Sequence, residues 1–323
     1  MKYRNLEGIN KKMSSLVFGT GVSLFTNEGN RETAFACLDM AWDAGFRVFD
    51  TGHAYGDAEN KLGAWLEARG HRDEAVILDK GCNPGQKGCD DVFSAKTIAV
   101  QIEESLQRLR TDHVELYILH RDEESEPVGE IVEILNELKE TGKIGRFGGS
   151  NWKLNRVLEA NAYAKEHNLT GFTVASPCFN LADYVHDPWG RSVTISGKEN
   201  QPYRDWLENN QMPVFNYSSL ARGFLSGKYR TDGEKPIEAC LPDYAIEEYY
   251  SPSNVERLRR AELLAAEKGC SVSQIGLAWL FAQPLNLFPI VSPTKERHIL
   301  DNVGALEIQL SREEADWLLT GER

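Results

Sequence analysis

Residues 47–80 read RVFDTGHAYGDAENKLGAWLEARGHRDEAVILDK, and this stretch decides the fold. Its pattern predicts strand, loop, helix, strand. Val48 and Phe49 lead into Asp50, a carboxylate where the first strand ends. Tyr55 and Gly56 follow in the loop. An amphipathic run with Leu62 and Leu66 stops at Gly70, and Val76, Ile77 and Leu78 then deliver Lys80 to the end of the second strand. Further on, Val114-Glu115-Leu116-Tyr117-Ile118-Leu119 reads as a third strand that ends in the same way on His120. Three successive strands thus each present an ionisable residue at the carboxyl end, where parallel α/β proteins place their chemistry.

The rest of the chain repeats the alternation. Residues 1–14 predict a hairpin turning at Gly8, and residues 15–18 a first barrel strand running into Gly19-Thr20-Gly21. Asn30 is placed to cap the next helix, with Phe35, Leu38 and Trp42 on its apolar face. Residues 81–93 form a Gly-rich loop, and Ile98, Ile102, Leu106 and Leu109 mark a helix face. A short acidic connection follows His120, then a helix with Ile131, Ile134, Leu135 and Leu138 inward. Strands are expected at 144–150, 172–178, 213–217 and 287–291, and helices at 154–168, near 203–209 and at 295–305. Ser253 with Glu256, Ser271 with Gln274 and Ser311 with Glu314 have capping-box spacing. Two long polar segments, 181–200 and 218–250, have the length of functional loops. The count comes to about eight strand–helix units of roughly 35–40 residues, which fits one α/β domain over residues 1–323: a (β/α)8 TIM barrel with an N-terminal β-hairpin and a C-terminal extra helix. A doubly wound dinucleotide fold needs a third glycine after Gly19 and Gly21, and Val-Ser-Leu stands there instead.

Composition bounds the function. Hydrophobic residues are 41% of the chain, enough for a large core. A formal charge of −13 argues against nucleic-acid and anionic-membrane partners, so an anionic ligand needs a local positive site. No run has the length of a membrane span. The six cysteines, at 37, 82, 89, 178, 240 and 270, show no framework spacing, which predicts reduced thiols in a cytoplasmic protein; Cys82 and Cys89 are a candidate redox pair.

The motif Asp50-Thr51-Gly52-His53-Ala54-Tyr55-Gly56, with Lys80 and His120 on the next two strands, resembles the aldo-keto reductases, with Gly52 where that family usually has Ala. Gly148-Gly149-Ser150-Asn151-Trp152, Tyr217-Ser218-Ser219-Leu220-Ala221-Arg222-Gly223 and Gly276-Leu277-Ala278-Trp279-Leu280 extend the resemblance over nearly the whole chain. The short connection after His120 and the LARGFLSGKY segment are similar to bacterial-type members. The resemblance implies an NADP-dependent oxidoreductase that reduces an aldehyde, ketone or sugar-derived carbonyl, with NADP(H) favoured and NAD(H) possible. It also implies that the hairpin plugs the barrel bottom and that the dinucleotide lies across the mouth.

Carbonyl reduction by hydride transfer needs a proton donor at the oxygen. A phenol with a pKa near 10 is a poor one unless a buried ammonium favours the phenolate, and that ammonium needs a carboxylate. Tyr55, Lys80 and Asp50 supply those parts, and the resemblance gives His120 the carbonyl oxygen to bond. Taken alone, Asp50 reads as a cap, Tyr55 as a half-buried aromatic, Lys80 as a solvated charge and His120 as a structural histidine; their order on successive strands favours the catalytic reading. His53 reads as a loop residue lining the pocket.

By the same resemblance Gly19, Thr20 and Asp50 border the cofactor, and Ser150 and Asn151 hold the nicotinamide carboxamide. Ser176 stands where a Gln is common. Tyr217 stacks on the nicotinamide, and Ser218, Leu220 and Arg222 meet the pyrophosphate. Thr294, Lys295, Arg297, His298, Asp301 and Asn302 take the adenosine end, with Lys295 and Arg297 as cations for a 2′-phosphate. The pocket loops are 21–28, 82–93, 181–200 and 223–250. A rival reading is a cofactor-binding regulatory subunit resembling the potassium-channel β proteins, which retain all four catalytic positions; a hairpin starting almost at Met1 argues against it. Substrate identity and oligomeric state stay open.

Overall fold

The structure, a computed structural model, describes residues 1–83, 93–187 and 189–322. The chain falls into two compact units, residues 1–176 with 292–296, and residues 177–291 with 297–323.

In the first unit, β1 (Tyr3–Leu6) and β2 (Ile9–Ser14) form an antiparallel hairpin that turns at Gly8, whose φ of +80° suits glycine. There follow β3 (Val17–Gly19), α1 (Ser23–Thr26), α2 (Arg31–Asp43), β4 (Val48–Asp50), α3 (Ala58–Arg69), β5 (Val76–Gly81), α4 (Ala95–Leu109), β6 (Val114–Leu119), α5 (Val128–Glu140), β7 (Ile144–Ser150), α6 (Leu154–Glu166) and β8 (Val174–Ser176). Strands β3 to β8 pair in sequence order, all parallel, as right for strand–helix repeats. Their register puts Gly19 beside Asp50, Lys80 beside Ile118, Leu119 beside Gly149, and Ser150 beside Ser176. The carboxyl ends therefore line up along one edge. β4, β5 and β6 are buried along their whole length, the charged Asp50, Asp79, Lys80 and Glu115 included.

At the opposite edge the hairpin is bolted to the sheet. Lys11 Nζ, on β2, donates to the Arg72 and Ala75 carbonyls, each at 3.0 Å, and to Glu115 Oε1 at 2.6 Å. Arg72 Nη1 reaches the same oxygen at 2.9 Å, and the Ile77 N–H donates to Glu115 Oε2 at 2.8 Å.

The second unit holds α7 (Gln201–Asn210), α8 (Asp243–Tyr249), α9 (Pro252–Lys268), α10 (Val272–Phe281), β9 (Ile290–Val291), α11 (Glu296–Gly304, starting at the unit boundary) and α12 (Arg312–Thr320). The expectation of a strand at 213–217 is corrected to isolated bridges: Val214 bridges Leu287, Tyr217 bridges Cys178, and the Ile290 N–H donates to the Asn216 carbonyl at 3.0 Å, with no continuous strand between them among the described residues.

The capping boxes at Ser271 with Gln274 and Ser311 with Glu314 form with both reciprocal bonds. Two other predicted caps do not. Asn30 sits in the left-handed region (φ 52°) and makes no side-chain cap bond, because a capping residue needs extended backbone. Helix α9 starts one turn position before Ser253: Pro252 takes its first turn, and Ser251 accepts from the Asn254 N–H. The 81–93 loop and Cys89 fall mostly outside the described residues. No described helix is long and apolar enough to cross a membrane.

Candidate active site

Asp50, Tyr55, Lys80 and His120 come together in the first unit. Asp50 and Lys80 end adjacent strands and are 3% and 2% exposed. Lys80 Nζ donates to Asp50 Oδ1 in a tight ion pair and lies 3.5 Å from Tyr55 Oη, a long contact of the kind that shortens once substrate is bound. The Tyr55 and His120 rings meet edge to face, centroids 5.3 Å apart. Thr20 holds the Asp50 strand end, donating from its hydroxyl and its N–H to the Asp50 carbonyl, both at 2.9 Å.

The loop carrying Tyr55 is shaped by small residues. A Cβ at Gly21 would sit 3.2 Å from the Tyr55 ring, and one at Gly52 would lie 3.1 Å from the Lys80 carbonyl. The Gly52 departure from the usual Ala therefore matches a close packing of loop on strand. Gly56 adopts φ +56°, and a Cβ there would lie 2.3 Å from the Thr26 carbonyl oxygen, which accepts from the Asp57 N–H at 3.0 Å. Lys61, 2% exposed, fixes the neighbouring loop by donating to the Leu24 (3.1 Å) and Phe25 (3.2 Å) carbonyls and to that of Asn27. Sequence reading missed Lys61, since a lysine within an amphipathic helix reads as solvent-facing. His53 lies in this loop, and its Nε2 is 2.6 Å from Glu104 Oε2 on α4, a contact that ties the loop to that helix.

Burial dominates the electrostatics. It pushes the Asp50 carboxyl up, with Lys80 pulling it back. Lys80 ends above its usual value, because Asp50 and Tyr55 outweigh the burial that would lower it; the ammonium is the stable form. Tyr55 is also raised, by burial first, with Lys80 opposing. This corrects the simple expectation of a net lowered phenol: the resting phenol keeps its proton, and Lys80 reduces the cost of losing it. His120 is held well below its usual value by burial, Lys80 and Arg121, so its imidazole is neutral, and Nδ1 has no partner among the described residues.

Beside this group, Ser150 donates to the Ser176 carbonyl at 2.7 Å, and Asn151 Nδ2 to the His120 carbonyl at 3.0 Å. Asn151 is in the left-handed region (φ 60°), which Asn tolerates. Gly19 ends β3, and Thr294 and Lys295 are exposed.

In the second unit, the half-buried Tyr217 ring meets Trp189 edge to face at 6.0 Å. Ser218 is left-handed (φ 53°) and its carbonyl accepts from Asn180 Nδ2 at 3.0 Å; Leu220 is half-buried. Arg222 is ion-paired with the buried Glu248 and lies against Trp189 (5.0 Å) and Tyr244 (4.8 Å). Sequence reading had no signal for Glu248 as its counter-charge. Arg297 and His298 are exposed and contact each other, Nε to Nε2, at 3.2 Å. Asp301 Oδ2 accepts from Ser271 at 3.0 Å and from Ser273, and Asn302 is buried.

The aldo/keto reductase family model matches residues 15–318. A probable voltage-gated potassium channel subunit beta of Oryza sativa subsp. japonica is 28% identical, covering 95% of this chain and 92% of that protein. Norsolorinic acid reductase B of Dothistroma septosporum is 27% identical, covering 94% of this chain and 76% of that protein. Among solved structures, an aldo/keto reductase from Klebsiella pneumoniae in complex with NADP and acetate superposes with a TM-score of 0.71 at 24% identity, covering 95% of this chain and 90% of that one. That likeness shows the (β/α)8 barrel fold. On the match across its length, the chain belongs to the aldo/keto reductase family, and it is an oxidoreductase by family.

Proposed function

We propose that the protein is an NADPH-dependent reductase of small aldehydes, ketones or sugar-derived carbonyls, with residues 1–323 acting as one barrel domain. The observation that carries this reading is the buried Asp50–Lys80 ion pair beside Tyr55 and a neutral His120. The residues fit the cofactor: Ser150, Asn151 and Ser176 gather polar groups at neighbouring strand ends, and Lys295 and Arg297 are exposed cations suited to a phosphate. When bound, the dihydronicotinamide supplies a hydride to the carbonyl carbon. Tyr55 Oη gives its proton to the carbonyl oxygen as charge develops there. The phenolate left behind is stabilised by the Lys80 ammonium, which Asp50 keeps charged, and is reprotonated from solvent. A neutral His120 has one ring N–H to donate to the same oxygen, orienting the substrate.

Tyr55→Phe removes a hydroxyl alone. It is expected to lower the rate of carbonyl reduction by about 10²–10⁴-fold while cofactor binding survives. A panel of carbonyls assayed with NADPH and with NADH, parent against Tyr55→Phe, tests this, and near-normal turnover in the variant overturns the assignment. The second reading, a regulator with little turnover, is favoured by the similarity to the rice channel subunit. A start close to the hairpin does not argue against it, since 92% of that protein is matched. Tight cofactor binding with negligible turnover across the panel would select it.

A further inference from the structure

Strand β5 has two faces. Lys80 points to the catalytic side, and Asp79, by the two-residue alternation of a strand, to the other. There Asp79 is fully buried, opposite Tyr117 of β6 in register, and α3 contributes Glu59, also fully buried. Gly81 leaves room on this face for the Tyr117 hydroxyl: a Cβ there would lie 2.0 Å from it.

The polar groups in this pocket of wall do not balance. Both Asp79 oxygens, Glu59 Oε1 and Tyr117 Oη lack a hydrogen-bond partner among the described residues. Yet the Asp79 and Glu59 carboxyls lie within hydrogen-bonding reach of each other. Two ionised carboxylates are acceptors only and repel, so adjacency in a dry site requires a proton between them. One cation serves the pair. Arg108 Nη1 donates to Glu59 Oε2 at 3.0 Å and to the His53 carbonyl at 3.3 Å, while its Nη2 reaches Glu104 at 3.4 Å. Arg108 thus ties the acid pair to the loop that carries Tyr55.

We propose that Asp79 and Glu59 share one proton in the wall behind Lys80, holding it to a single negative charge that Arg108 balances, so that Lys80 answers to Asp50 and Tyr55 alone. Asp79 is then a positioning residue acting through charge. Burial and Glu59 both push its carboxyl well above the ordinary range, with the Lys80 backbone and ammonium opposing. The titratable and charged groups around the pair are Tyr117 from β6, Arg108 from α4, Lys80 on the other face of β5, and Cys82 just past the end of that strand. A charged Asp79 would also raise Tyr55.

Two measurements need no turnover and do not depend on the reductase reading; the kinetic one rests on it. In the vibrational spectrum of the folded chain at neutral pH, a protonated carboxyl band is expected, lost in Asp79→Asn and shifted in Glu59→Gln as its hydrogen-bond partner changes. Its absence in the parent, or its survival unshifted in both variants, overturns the proposal. In melting against pH, unfolded Asp releases its proton near about pH 3.9 while folded Asp79 keeps it. The folded state then holds the extra proton, and stability falls as pH rises above that point toward the folded value. Asp79→Asn removes this loss, so its melting temperature is expected to exceed the parent's by a gap that widens with pH; a constant gap counts against a retained proton. In the pH profile of kcat, Asp79→Asn preserves the wall's charge and the parent's alkaline limb. Glu59→Gln leaves the buried Asp79 protonated and removes the wall's one negative charge, so that limb shifts downward. Equal profiles for the two variants would sink the link to Tyr55.

Discussion

At Lys80 one side chain settles three charges. Its ammonium is anchored by Asp50, faces Tyr55 and depresses His120. Lys80→Met leaves Asp50 buried without a partner, so a loss of about 3–5 kcal/mol in stability is expected, together with loss of turnover. Denaturant unfolding and steady-state kinetics check both; a variant as stable and active as its parent would show that the two residues do not pair. The burial that raises Tyr55 also fixes the direction of its pH dependence: the donor form persists through neutral pH, and reduction declines only as alkali removes the phenol proton. At this scale the motif was legible in the sequence, because Asp50, Lys80 and His120 stand at the ends of consecutive strands and Tyr55 in the loop after the first. Lys61 was not, because the carbonyls it satisfies lie more than thirty residues away.

At the scale of elements, the hairpin is held by Glu115 at the start of β6. Burial would raise its carboxyl, but His113, Arg72, the Ile77 N–H and Lys11 hold it at about 2. The unfolded carboxyl takes its proton near pH 4.5 and the folded one near 2. Stability from this group is therefore present above the first value and lost as pH falls through the second. The shift corresponds to about 3 kcal/mol, and Glu115→Gln is expected to lose stability of that order at neutral pH and to flatten the acid limb of the melting curve. Melting temperatures between pH 2 and 7 decide it, and parallel curves for parent and variant would contradict the pairing. The helix starts teach a related lesson. Ser271 and Ser311 cap as their spacing predicts, whereas Ser253 loses its place to Ser251 because Pro252 claims the first turn.

Over the whole molecule, a charge of −13 opposes any dinucleotide, so a preference for the phosphorylated form depends on local cations. Lys295 and Arg297 are exposed, and Asp301 is already engaged by serine hydroxyls. One well-formed contact to a 2′-phosphate is worth roughly 1.5–3 kcal/mol, which is about tenfold or more in preference. NADPH is expected to be favoured, with Lys295→Ala or Arg297→Ala lowering kcat/KM for NADPH and sparing NADH. Comparison of kcat/KM for both cofactors in all three proteins checks it, and equal or better use of NADH by the parent would mean that neither cation meets a phosphate.

What the sequence determined by itself is the order of elements and the residue at the end of each strand. Both follow from local periodicity and from turn residues such as Gly8 and Gly70, which need no knowledge of distant contacts. Only the tertiary structure decided where the charges go. It turned His53 to Glu104, gave Arg222 to Glu248 and buried Asp79 against Glu59, pairings between segments that the sequence holds apart. The physical reason is that charge is priced by burial and by neighbours, and both are set by packing across the chain rather than along it.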